Sequence, residues 1–339
     1  MKSFNCALIG LGAIHMNHVR AIEALPECKL VAVCDIDAAK AEKKAEELNC
    51  NGYTDYKTML GQEQIDVVHI CTPHYLHAPM AIYAMEHGVN VLVEKPMGMN
   101  SRETAEMIRV AKETGRRLGV CFQNRYNPTV QRIRTLIDQG DLGRFLSSKT
   151  IVSWNRDAAY YAQGAWRGTW NEEGGGVLIN QAIHTMDLTQ WLAGFPVDVQ
   201  AQTSCFRLHD AIEVEDTAHG YFHYPDGATG IFYATNAFGA DDPVELDLVF
   251  ENATIRLKKD LLIQYADGTE EHMDDQSLVS GAKGYWGNGH TALIHDYYTC
   301  LDEGLPFPID GPEAAKIIKV LDAIYRSAAT GNRICIQGG

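Results

Sequence analysis

The stretch FNCALIGLGAIHMNHVRAIEALPECKLVAVCD, residues 4–35, decides the fold. An apolar run from Phe4 to Ile9 meets Gly10-Leu11-Gly12, after which apolar residues recur at helical spacing to about Leu25. A second apolar run, Leu30-Val31-Ala32-Val33-Cys34, stops on Asp35. Strand, glycine turn, helix, strand and acid, in that order, form the pattern of a dinucleotide-binding βαβ unit. Gly10 permits the tight turn, and Gly12, with Ala13 and Ile14, brings backbone amides at a helix start toward a pyrophosphate. Asp35 is placed to accept hydrogen bonds from a ribose diol. The third glycine position holds His15, so the helix is expected to stand off the sheet or His15 to turn away from it. An S-adenosylmethionine site, or an α/β unit that binds nothing, would share the turn and the acid.

The cofactor expected on these residues is NAD in preference to NADP. Asp35 sets a carboxylate beside any 2′-phosphate, and Ile36-Asp37-Ala38-Ala39 supplies no arginine to offset the repulsion. Lys40, the nearest cation, is expected to lie too far along the next helix.

Downstream of Asp35 the same grammar continues. Residues 38–48 read as a surface helix, 65–71 as a buried strand ending at Thr72-Pro73-His74, and 78–87 as a helix. Residues 89–93 form the next strand, ending at Glu94-Lys95-Pro96. The helix at 101–114 opens on Ser101-Arg102-Glu103-Thr104, a loose capping box with Thr in its fourth place, and a further strand follows at 118–122. Strands alternating with helices predict a doubly wound parallel sheet, an α/β Rossmann domain over residues 1–124. Its ligand belongs outside the C-terminal strand ends, where Gly12, Asp35, Thr72, Glu94-Lys95 and Gln123-Asn124 converge.

Beyond residue 125 the pattern changes to a helix at 129–139, a strand at 145–154, and strands at 199–208, 217–224, 229–236, 245–250, 254–257 and 261–265. Turns such as Pro225-Asp226-Gly227 separate them. Residues 125–339 therefore read as an α+β domain with a large, open, mostly antiparallel sheet. The last helices, 293–303 and about 312–329, are expected to pack back on the first domain. Apolar and aromatic residues on both alternations of the strands predict a homodimer or homotetramer built on that sheet.

The chain has 339 residues, 46% of them hydrophobic and 22% charged, as in an ordinary globular protein. Its formal charge of −15 argues against nucleic acid and anionic membrane as partners. Nine scattered cysteines without a C-x-x-C pair suit a reducing cytoplasm and give no metal site. The first strand begins too early for a signal peptide, and no apolar run reaches membrane-spanning length.

Two clusters carry chemistry. Lys95 sits at a strand end facing the crevice, its backbone held extended by Pro96. The second is Glu172-Glu173-Gly174-Gly175-Gly176-Val177-Leu178-Ile179-Asn180-Gln181-Ala182-Ile183-His184-Thr185-Met186-Asp187. Three glycines open an apolar helix on which Asn180, His184 and Asp187 share one face, where each must find a partner or a ligand.

Gly10-Leu11-Gly12 with His18, Asp35, Thr72-Pro73, Glu94-Lys95-Pro96, Asn124-Arg125 and the 174–187 helix resemble the glucose–fructose oxidoreductase/inositol dehydrogenase/MocA family over nearly the whole chain. The resemblance implies NAD(P)-dependent redox chemistry on a sugar, sugar derivative or cyclitol. By motif match Lys95 and His184 take catalytic positions. Asn180 stands where many members carry an aspartate, so it can bond a sugar hydroxyl but not hold a proton. His74, His77, Trp166, Arg167 and Tyr285 resemble further cofactor-lining positions. The implied division of labour makes His184 the proton acceptor and Lys95 a hydrogen-bond donor to the same oxygen. Tyr160, Tyr161, Gln163, Trp166, Arg167 and His290 would grip the ring. A regulator that binds NAD(P) without turnover is the alternative of a different class.

Overall fold

In the computed structural model residues 2–274 and 289–336 are described. The chain forms two compact units. The first comprises residues 1–123 and 290–315, the second 124–289 and 316–339.

The first unit contains β1 (Phe4–Ile9), α1 (His15–Glu23), β2 (Cys28–Cys34), α2 (Ala38–Leu48), β3 (Asn51–Tyr53), α3 (Tyr56–Gln62), β4 (Val67–Ile70), α4 (His77–Glu86), β5 (Asn90–Glu94), α5 (Ser101–Thr114) and β6 (Leu118–Cys121). The sheet order is β3-β2-β1-β4-β5-β6, and every pairing is parallel. This is the expected α/β Rossmann sheet. The order reverses between β1 and β4, which opens a crevice at their C-terminal ends. The short β3 and α3 were not legible in the sequence, because three exposed or half-buried residues carry no apolar run. The helix cap also differs from expectation. Asn100, not Ser101, caps α5, accepting from the Glu103 amide at 3.1 Å, while Glu103 Oε2 accepts from the Met99 amide at 2.9 Å. The reciprocal box therefore starts one residue earlier and does have its acid.

The second unit contains α6 (Pro128–Gln139), β7 (Phe145–Ser153), α7 (Ala158–Tyr161), α8 (Val177–Asn180), α9 (Ile183–Ala193), β8 (Asp198–Ser204), β9 (Thr217–His223), β10 (Thr229–Thr235), β11 (Glu245–Phe250), β12 (Ala253–Leu257), β13 (Leu261–Tyr265) and β14 (Glu270–Met273). The chain continues through α10 (Gly289–Glu303), α11 (Gly311–Thr330) and β15 (Ile334–Cys335). Among the described residues, nine strands run in the order β14-β13-β12-β11-β7-β10-β9-β8-β15. All neighbours are antiparallel except β7 and β10, which pair in parallel. Period-two burial, as in β11, turns Leu246, Leu248 and Phe250 onto α6 and α9, where Ile133 and Leu188 close the core.

The last helix departs from the sequence reading. From Lys316 onward it belongs to the second unit, and Ser327 Oγ accepts from the Ala201 amide of β8 at 2.9 Å. The preceding segment closes the edge of the first sheet instead. The Val120 amide donates to the Ile309 carbonyl at 3.0 Å, and the Tyr297 ring fills the space above Gly119.

Candidate active site

The dinucleotide turn is built by close approach. Gly10 has φ +92°, and a Cβ there would stand 2.7 Å from the Cys71 carbonyl oxygen at the end of β4. Any side chain would push β1 and β4 apart. A Cβ on Gly12, by contrast, would meet nothing within 4 Å. Protein packing does not require glycine there, and that face of the turn is open. Asp35 holds the turn in place. Its Oδ2 accepts from the Leu11 amide at 2.9 Å and its Oδ1 from the Asp37 amide at 3.0 Å. Each oxygen retains a lone pair for a ribose hydroxyl. Lys40 is closer than the sequence suggested, with Nζ 3.5 Å from Asp35 Oδ2. His15 turns back from the third glycine position, its Nδ1 bonded to the Gly12 carbonyl.

Two polar atoms at strand ends on either side of β5 are buried with no partner among the described residues, Thr72 Oγ1 after β4 and Gln123 Oε1 after β6. Such orphans cost free energy unless a ligand or water meets them. With the open face of Gly12 they fit a dinucleotide laid across the strand ends. His77, expected at the cofactor, is a tie within the protein. Its ring nitrogens lie 2.7 Å from the Pro96 carbonyl and 2.8 Å from the Thr72 carbonyl, clamping the two strand-end loops together. His74 is buried beside it, ring to ring at 5.9 Å.

Beneath Lys95 lies a buried polar chain that sequence reading missed except for its separate members His18, Glu94 and His290. Glu94 Oε1 is 3.0 Å from His18 Nε2 and 3.2 Å from His290 Nε2. His18 Nδ1 is 2.9 Å from His69 Nδ1, and His69 Nε2 is 2.8 Å from the Tyr298 hydroxyl. Burial alone would raise the Glu94 carboxyl, but the two imidazoles outweigh it and hold the group well below the usual carboxylate range. Burial pushes His18 down and His69 well down. The Glu94 contacts are direct hydrogen-bond distances, while His290 Nδ1 is buried with no partner among the described residues.

In the second unit the glycine run is again a matter of approach. A Cβ on Gly176 would collide with the Glu215 carbonyl oxygen. The Glu215 carboxylate caps the turn, accepting from the Gly176 amide at 2.9 Å, the Leu178 amide at 3.0 Å and the Tyr325 hydroxyl at 3.0 Å. Burial pushes this carboxyl up to about 7 against those donors.

The expected single helix carrying Asn180, His184 and Asp187 is broken. The Ala182 amide reaches back to the Val177 carbonyl at 2.7 Å, one residue further than an α-helical bond, and separates α8 from α9. Asn180 therefore ends one helix and His184 begins the next. Asn180 Nδ2 donates to Glu173 Oε1, a carboxylate with 0% exposure that the sequence reading had not singled out. Asp187 is removed from any ligand face, because Arg125 grips it bidentately at 2.7 and 2.6 Å in the core. A buried pair of this kind is costly to break from one side. His184 itself is 6% exposed.

Trp166 and Arg167 belong to a network that supports the break. The Arg167 guanidinium lies over the Trp166 and Tyr160 rings at 4.5 and 4.6 Å and donates to the Tyr160 hydroxyl at 2.6 Å. Gln181 also donates to that hydroxyl, and Asn236 bridges Gln181 to Tyr161. The hydroxyls of Tyr160 and Tyr161, expected to grip a sugar, are thus engaged within the protein. A cavity of about 710 Å³ beside them is lined by Tyr161, Arg167, Thr169, His209, Asp210 and Ile212, and does not include Asn180 or His184. The Asn124 Oδ1 is buried without a partner among the described residues. Tyr285 lies outside the described residues. Among those described, no helix is long and apolar enough to cross a membrane.

Residues 4–122 match the oxidoreductase family with an NAD-binding Rossmann fold. Residues 130–256 match the GFO/IDH/MocA C-terminal domain. The chain is 30% identical over 250 residues to scyllo-inositol 2-dehydrogenase (NAD(+)) of Bacillus subtilis, covering 71% of this chain and 70% of that one. It is 28% identical to D-glucoside 3-dehydrogenase of Escherichia coli, over 97% and 96% of the two chains. Among solved structures, the WlbA dehydrogenase of Bordetella pertussis in complex with NADH and UDP-GlcNAcA aligns over the whole of both chains, with TM-score 0.86 and 29% identity. From its glycine turn to its open sheet, the chain belongs to the Gfo/Idh/MocA family of oxidoreductases.

Proposed function

We propose that this protein is an NAD-dependent dehydrogenase that moves a hydride between nicotinamide and a CHOH or C=O carbon of a sugar, sugar derivative or cyclitol. The observation that carries the reading is the corner at Glu94-Lys95, where a lysine follows a buried carboxylate at the end of β5, on the same sheet edge as the open dinucleotide turn after β1 and with only β4 between them. Bound NAD supplies the hydride acceptor. The amides of Gly12 to Ile14 would hold its pyrophosphate on the turn that Gly10 forms, Asp35 its ribose, and Thr72 and Gln123 its polar groups nearer the reacting end.

Oxidation of an alcohol also releases a proton. His184 accepts it, and Lys95 donates a hydrogen bond to the oxygen that gains negative charge. Asn180, its amide directed at Glu173, orients the substrate and transfers no proton. The test is nicotinamide absorbance with a panel of hexoses, amino sugars, glycosides and inositols. Tight NAD binding with no turnover on any of them would instead support a cofactor-binding regulator.

NAD is the preferred cofactor in this reading, because the Asp35 carboxylate repels a 2′-phosphate. Lys40 stands 3.5 Å away and softens that repulsion. Asp35→Ser leaves Lys40 without its partner and is expected to shift the NADP-to-NAD ratio of kcat/KM upward by roughly tenfold, about 1.4 kcal/mol. Wild-type efficiency equal for the two cofactors would show that Asp35 does not discriminate.

The functional form is a homodimer or homotetramer joined through the outer face of the second unit's sheet. Tyr221 and Ile231 are 39% and 53% exposed on that face, beside the charged cluster of Lys149, Glu245 and Asp247. Mass measurement at micromolar concentration is expected to give a dimer or larger, and a monomer would remove this part of the reading.

A further inference from the structure

Glu94, His18, His69, His290 and Tyr298 come from β5, α1, β4 and α10 and meet in the core of the first unit. Five polar side chains in such a place are not there for stability. Apolar residues of similar volume would cost less to bury. Their protons are also ordered. A neutral imidazole has one N–H and one lone pair. If His18 gives its Nε2–H to Glu94, its Nδ1 is an acceptor and His69 must supply the proton at 2.9 Å. His69 Nε2 is then an acceptor facing the Tyr298 hydroxyl at 2.8 Å, whose one hydrogen is shared between it and Cys6 Sγ at 2.9 Å. Each donor points toward Glu94, and His290 adds a further one from the other side. The chain ends on a carboxylate whose second oxygen accepts from the Lys95 amide at 3.2 Å.

We propose that Glu94 is a positioning residue for Lys95: held as a carboxylate by this chain, it anchors the Lys95 backbone and its negative charge keeps the neighbouring ammonium protonated while the reaction runs. The proposal rests on the reading of Lys95 as the hydrogen-bond donor to the reacting oxygen. A lysine in that role is useful only while charged, and an apolar strand end would favour its neutral form. The other titratable groups facing this corner are His18 and His290 on Glu94, the thiols of Cys71 and Cys121 on the flanking strands, and His77 between the Thr72 and Pro96 carbonyls. Burial drives both thiols well above their ordinary range and His18 and His77 below theirs, in His77 against the two carbonyls that favour its charged form. Glu94 is the fixed negative charge among them.

The test reads the lysine directly and needs no turnover. The full chain is labelled with acetic anhydride across a pH series, and acetylation of Lys95 is followed by mass spectrometry, with Lys149 in the second unit as the internal control. Glu94→Gln keeps the shape and removes the charge, and its single acceptor oxygen can serve either the imidazoles or the Lys95 amide. It is expected to lower the midpoint of Lys95 reactivity by about one pH unit, the size of a single nearby charge effect, and to leave Lys149 unchanged. His290→Leu removes one donor to Glu94 and is expected to shift the midpoint in the same direction by less, while His290→Gln, which keeps an N–H donor, restores it. Folded Glu94→Gln protein with an unaltered Lys95 midpoint overturns the proposal. Should that variant not fold, equal midpoints for His290→Leu and His290→Gln overturn it instead. A shifted midpoint in a protein that oxidises none of the sugars leaves this charge coupling standing and removes the dehydrogenase reading. Normal turnover with no shift does the reverse.

Discussion

Replacing Lys95 by Ala is expected to lower kcat by roughly 10²–10³ while NAD binds nearly as before. The residues assigned to the pyrophosphate and adenosine follow β1 and β2, at Gly12 to Ile14 and Asp35, whereas Lys95 follows β5. Truncating it leaves the glycine turn, the Asp35 clamp on Leu11 and the open face of Gly12 in place. What is lost is a cation beside an oxygen that becomes more negative as the hydride departs. An interaction that strengthens along the reaction coordinate appears in kcat more than in KM. Steady-state kinetics beside an NAD titration decide the matter. Near-normal kcat, or loss of NAD binding outright, would show that the lysine only holds the cofactor.

For His184→Ala the expected loss is larger, roughly 10²–10⁴ in rate, because no other residue is assigned to take the substrate proton. Asn180 cannot substitute, since an amide has no titratable proton and its nitrogen is turned toward Glu173. The distinguishing readout is the pH profile. In the wild type the neutral imidazole is the active base, so oxidation should rise with pH as His184 loses its proton. In the alanine variant that limb should flatten, leaving the residual rate nearly independent of pH there. A mutant that keeps the wild-type limb would place the acid–base group elsewhere. Its buried position, with 6% exposure, makes His184→Asn a useful companion. Similar losses in both variants with unchanged melting temperatures point to the missing base rather than to a disturbed core.

The first unit's parallel sheet was legible in the chain because its information is local. Apolar runs of strand length, helical periodicity and the Gly10-Leu11-Gly12 turn each report on a few adjacent residues, and the structure places α2 over Ala38–Leu48 as read. The alternating strands of the second unit were legible for the same reason, down to β11 at Glu245–Phe250. So were the two clusters around Lys95 and His184, as residue types that family motifs put in order. What periodicity does not encode is the partner of a buried polar group. Glu94 and His290 meet across 196 positions of sequence, and nothing near either residue specifies the other. Asp187 looked like part of a ligand stripe until the fold brought Arg125 to it. Asn180 and His184 looked like one helical face, but the wide turn at Ala182 puts them on separate helices. Lys40 looked remote along its helix, yet its side chain reaches back to Asp35. Burying a polar atom demands a partner, and only the packing of distant segments decides which one supplies it.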